Sequence, residues 1–163
     1  MSRLALLVFS LAAATVFAAQ GQPTTPPIDS NCERLFPAAL IARATGQPKA
    51  ALIPRNPRIA AGGNCNWVDD PSAAKPRVML LADINTVADH QEFEKYAGQT
   101  TMKAIPGLGD ESSATETIVV ARKGKLLVVV SAFQQVDMNT MATKPWFTQA
   151  QLIDLVRQAL AKG

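Results

Sequence analysis

TETIVVARKGKLLVVVSAF, residues 115–133, holds two apolar runs on either side of Lys123-Gly124. A tight reversal at that pair makes them a hairpin, with strands expected over Thr115 to Arg122 and Lys125 to Phe133. Val119 and Ala121 alternate with Ile118 and Val120, while Leu126, Val128 and Val130 alternate with Leu127, Val129 and Phe133. Neither face reads as solvent-facing, so both need cover. Helices between hairpins tend to collect on one face. The other is then left to the long loops, to a homodimer or partner protein, or to a small apolar ligand.

C-terminal to the hairpin, Thr148 and Gln151 form a capping box, and Phe147 and Leu152 stand where a hydrophobic staple would. A helix follows, burying Leu152, Leu155, Val156, Ala159 and Leu160 opposite Asp154, Arg157 and Gln158. N-terminal to the hairpin comes the turn-rich Ala104-Ile105-Pro106-Gly107-Leu108-Gly109-Asp110-Glu111. Before that, a helix is expected from Val87 to Ala97, capped by Asn85 or Thr86, stopped at Gly98, and carrying Val87, His90, Phe93 and Ala97 on one side.

Arg77 to Ile84 and Asn64 to Val68 alternate as strands, with Cys65 and Trp67 on a shared face. Pro37 cannot lie inside a helix begun at Ser30, so Ser30 to Glu33 reads as a turn and the first helix runs from Pro37 to a Gly46 cap. Gln47 to Gly63, broken by three prolines and a Gly-Gly pair, reads as a loop. The expected fold is α+β, in the order α-β-β-α-β-β-α: an antiparallel four-stranded sheet with helices packed mainly on one face.

Arg3, the apolar run Leu4 to Phe17, and Val16-Phe17-Ala18 are the parts of a secretory signal peptide, with cleavage expected after Ala18. The apolar run falls short of the roughly 20 residues of a bilayer span, so no stable membrane anchor is expected. Residues 19–29 read as a Pro-rich leader and 30–163 as a single α+β domain. Localisation is expected to be periplasmic or secreted. The segment Arg43 to Arg77 is locally basic, but only Trp67 in it can stack on a base, which argues against a nucleic-acid partner.

Two cysteines in an exported chain are most simply a disulfide. Cys32 and Cys65 would close a loop of about 33 residues, stabilising the fold by roughly 3 to 4 kcal/mol. The rival readings, a metal site or a redox pair, want further ligands at short spacing or a C-x-x-C run, and neither pattern is present.

No nucleophile elbow or HExxH helix accompanies His90, the sole histidine. That residue reads as a side chain packed on, or capping, the core, and no catalytic residue, cofactor or metal is assigned. The candidate ligand loop is Gly107, Gly109 and Asp110, because glycines let backbone amides approach an anion. The flanking elements are not those of a dinucleotide or P-loop site, and the competing reading is a tight turn with Asp110 bonded to nearby amides. Asp69-Asp70 and Asp110-Glu111 read as turn acids rather than a calcium loop. Met138-x-x-Met141, with Met79, Met102 and His90, raises soft coordination of Cu(I).

Cys32-Glu33-Arg34-Leu35 with Gly46, Cys65-Asn66-Trp67, Ile105-Pro106-Gly107-Leu108-Gly109-Asp110-Glu111, the Lys123-Gly124 hairpin and the final amphipathic helix follow one another in an order that resembles the small exported proteins and lipoproteins of unknown function of actinobacteria and some proteobacteria. The resemblance spans nearly all of the chain after the signal, although this sequence lacks a lipobox. It implies an envelope-exposed α+β domain with Cys32 paired to Cys65, and it transfers no catalytic or binding residue. The function expected is an exported non-catalytic binding or accessory module of the bacterial cell envelope, monomer or homodimer. The alternatives are a small periplasmic hydrolase using acids around Asp83 or Asp110, and a Met-based Cu(I)-handling protein.

Overall fold

The computed structural model describes residues 30–53, 65–86, 89–98, 101–137 and 139–163. The expected signal peptide at 1–18 and leader at 19–29, together with Val87, Met138 and most of the Gly-Pro loop, lie outside the described residues.

Helices α1 (Ser30–Leu35) and α2 (Ala38–Thr45) come first, so the turn expected at Ser30 is a short helix. Pro37 explains the break between them. It has no amide to continue α1, whose last turn closes with Phe36 N donating to Cys32 O at 2.9 Å, and its fixed φ starts α2. Gly46, at φ +69°, ends α2 as expected.

Strands β1 (Ala51–Ile53), β2 (Cys65–Val68) and β3 (Val78–Asn85) follow, then α3 (His90–Ala97). Next come β4 (Lys103–Ala104), β5 (Glu111–Ala114), β6 (Ile118–Lys123) and β7 (Leu126–Ala132), a small pair β8 (Gln134–Val136) and β9 (Thr143–Pro145), and α4 (Gln149–Lys162). The main sheet is antiparallel throughout, but it has seven strands in the order β1-β2-β3-β7-β6-β5-β4, not four. Of the extra strands, β1 and β4 are too short to show a period of two and β5 has no apolar alternation, while Ala104 of β4 and Glu111 of β5 belong to the stretch that reads as turn. The central pairing joins β3 to β7, across intervening chain that local patterning does not register.

The helices also depart from the one-sided packing expected. Helices α1, α2 and α4 share a core with Trp67, Leu80, Ala82, Val119, Ala121, Val128 and Val130. Helix α3 lies on the opposite face, where Phe93 packs with Val120 and Leu127, and Tyr96 and Ala97 border them. On the second apolar face of the hairpin the chain itself thus buries Val120 and Leu127 and half-buries Ile118 and Val129, while Phe133 stays exposed. Between Trp67 and Val68 the β2–β3 register slips, and the extra residue on β3, Met79, joins the main core rather than alternating away from it.

Cys32 and Cys65 form a disulfide that ties α1 to β2, and both are fully buried. Phe36 meets Trp67 edge to face, 5.7 Å between ring centres. The Trp67 Nε1 is buried with no hydrogen-bond partner among the described residues. The capping box at the start of α4 is complete: Gln151 N donates to Thr148 Oγ1, and Thr148 N donates to Gln151 Oε1 at 2.7 Å.

Candidate functional site

Pro106 and Gly107 turn the chain sharply between β4 and β5. Gly107 has φ +75° and Gly109 φ +74°, values open to glycine and strained for other residues. Between them Leu108 is buried, 2 % exposed, and anchors the loop in the main core. At Gly109 a side chain would also run into the Arg122 carbonyl, so the glycine permits close approach of the loop to β6. Gly107 faces open space.

The acids that follow are structural clamps. Asp110 N donates to Arg122 O at 2.8 Å, and its Oδ2 accepts from Gly124 N at 2.7 Å, so one residue pins the end of β6 and the entry to the β6–β7 turn. Arg122 Nη1 donates to Gly124 O at 2.7 Å. Glu111 Oε2 accepts from Arg122 Nε at 2.6 Å, and its Oε1 lies 2.5 Å from His90 Nδ1. The Arg122 guanidinium holds the Glu111 carboxyl below the usual carboxylate range, with a smaller contribution from His90 against the opposing cost of desolvation.

His90 is the first residue of α3 and 66 % exposed, so it is neither packed on nor capping the core. The helix begins later than its apolar pattern suggests because Asp89, not Asn85 or Thr86, caps it by accepting from Glu92 N at 2.9 Å. That shift turns the imidazole outward, toward Glu111.

What the loop forms with the rest of the fold is a surface recess of about 310 Å³. Gly107, Leu108, Gly109 and Asp110 line one side, and Lys123, Arg157, Leu160 and Ala161 the other. The three residues of the candidate ligand loop are thus brought together. Lys123 and Arg157 join them from the end of β6 and from α4, although by sequence pattern Lys123 reads as a turn residue and Arg157 as part of a solvated helix face. Their convergence depends on α4 crossing the hairpin end, which no local signal reports.

The other expected constellations stay apart or serve the fold. His90 meets Glu111, Asp83 accepts from the Tyr96 hydroxyl at 3.4 Å, and the recess contains Asp110 but not His90. Met79 is in the main core, Met102 packs on the α3 cluster, and Met141 is exposed in the β8–β9 connection. Asp69 is not a solvated turn acid but nearly buried. Its burial pushes the pKa up, yet hydrogen bonds from the Arg77 amide and guanidinium and from Asp70 N outweigh this and leave it lowered. Asp70, bonded to Lys49 and Ser72, is lowered to about 2.

No family model matches the chain, and neither the curated proteins nor the solved structures hold a significant match to it.

Proposed function

We propose that the chain is an exported binding or accessory module of the cell envelope, periplasmic or secreted, and that the recess at Gly107–Gly109 is its ligand site. The buried disulfide supports passage through an oxidising compartment, where such bonds form and persist. No helix among the described residues is long and apolar enough to cross a membrane. The observation that carries the reading is the meeting of Lys123 and Arg157 with the glycine loop. Two cations from separate elements border a cavity whose backbone wall is kept bare by glycine.

The test is retention of native envelope material by immobilised protein, comparing wild type with Lys123→Ala/Arg157→Ala at equal folded stability. Material held by the wild type and lost by the variant is the expected result. Equal retention would remove the recess from the account. Export is checked separately by N-terminal mass spectrometry of protein recovered outside the cytoplasm, which should begin after Ala18.

A further inference from the structure

We propose that this recess takes a small oxyanion, a phosphate group on a larger molecule, held by Lys123, Arg157 and the amides of Gly107 and Gly109; this rests on the reading of the recess as the ligand site.

Neither cation is committed to a strong partner. Arg157 Nη1 lies 3.6 Å from Asp154 Oδ1 with both side chains 58 % exposed, and Lys123 Nζ lies 3.4 Å from Leu160 O. Charge-assisted bonds to an oxyanion run at about 2.7 to 2.9 Å. A bound phosphate therefore offers both groups a closer and more strongly charged partner than they have now. An exposed pair such as Arg157 with Asp154 contributes little and is readily given up.

The backbone adds donors. The amides of Gly107 and Gly109 find no acceptor among the described residues, and their positive φ values flank a Leu108 whose φ is not positive. Both glycines line the recess, and a backbone amide there that lacks a protein acceptor is a donor an anion can take. Leu108 pins the loop from beneath, so the amides are held in place before a ligand arrives.

Asp110 is the one carboxylate among the described residues of the lining, and its Oδ2 already accepts the Gly124 amide. Lys123 and Arg157 together outweigh it. Leu160 and Ala161 provide an apolar side, and the cavity exceeds a bare phosphate, leaving room for the first atoms of a substituent. A phosphorylated solute and a phospholipid headgroup share this chemistry.

The probe is sodium phosphate, titrated into labelled protein at constant ionic strength and followed by amide chemical shifts. Saturable shifts at Gly107, Gly109 and their neighbours are expected, with millimolar affinity and competition from sulfate. Lys123→Ala/Arg157→Ala should weaken binding about tenfold or more, whereas Asp110→Asn, which keeps the acceptor for Gly124 and loses the repelling charge, should tighten it severalfold. Unfolding midpoints of all variants establish that they are folded.

Sedimentation with phosphatidylglycerol vesicles but not phosphatidylcholine vesicles assigns the phosphate to a lipid headgroup. Phosphate shifts without such sedimentation assign it to a soluble compound. Absence of shifts at these amides overturns the oxyanion class. If envelope material is still retained in a Lys123- and Arg157-dependent way, the recess itself survives as a site, and if that retention also fails, both readings fall.

Discussion

Glu111 lies opposite Arg122 in the β5–β6 ladder and divides its two carboxylate oxygens between Arg122 of the sheet and His90 of α3. One side chain therefore couples a strand to the helix that covers the second sheet face. Because the folded state holds the Glu111 carboxyl ionised, chiefly through Arg122, its pKa is lowered from 4.5, and the unfolded chain takes up that proton first as pH falls. The stabilisation is fully present above the unfolded value and disappears as acid passes through the folded one. Glu111→Gln should flatten the decline of the urea midpoint between about pH 5 and pH 3. The decline should persist in part, since Asp69 and Asp70 are lowered as well. Superimposable pH profiles for wild type and variant would show that Glu111 contributes nothing.

The two glycines of the loop separate backbone strain from steric approach. Gly107→Ala places a Cβ in open space and carries only the cost of a left-handed residue, about 1 to 2 kcal/mol. Gly109→Ala carries the same cost and also drives a methyl group into the Arg122 carbonyl, so it should be clearly the worse of the two. Paired denaturation curves decide this, and equal losses would mean that the loop does not press on β6 as described.

The parts of the fold that were legible in the sequence are those whose signal is local. The capping box of Thr148 and Gln151, the hairpin turn at Gly124 and the stop at Gly46 each follow from a few adjacent residues. Strands β4 and β5 escaped because two residues show no period, Glu111-Ser112-Ser113-Ala114 carries no apolar alternation, and the turn chemistry of Pro106 to Gly109 dominates that stretch. The side of the sheet taken by α3 was illegible for another reason: Phe93 would be buried equally well on either face, and only the three-dimensional path decides. The candidate site divides in the same way. Gly107, Gly109 and Asp110 announce themselves by backbone chemistry, while Lys123 and Arg157 belong to ordinary polar positions until α4 is packed.

The disulfide gives a further expectation. Cys32 and Cys65 are wholly buried beneath α1 and β2, so reductant should act on the native protein only through unfolding. Cys32→Ala/Cys65→Ala should lower stability by roughly 3 to 4 kcal/mol. Thiol labelling of wild type in reductant should be slow in buffer and fast above the denaturation midpoint. Rapid labelling in buffer would mean that the bond is open to solvent.

Burial of the second sheet face by α3 makes a distinct claim about where stability resides. Phe93 is the buried residue of α3 in the cluster with Val120 and Leu127, and Tyr96 and Ala97 sit around it. Removing its ring should cost about 3 kcal/mol, because the helix is short and has little propensity of its own to hold it in place. Phe93→Ala should therefore speed hydrogen exchange first in α3 and then in the amides of β6 beneath it. Val119 and Val130, on the other side of the same strands, face the larger core built by α1, α2 and α4, and β7 should keep most of its protection. Uniform loss of protection across all strands would mean that the two cores unfold as one unit. No measurable loss would mean that something other than Phe93 keeps Val120 and Leu127 from water.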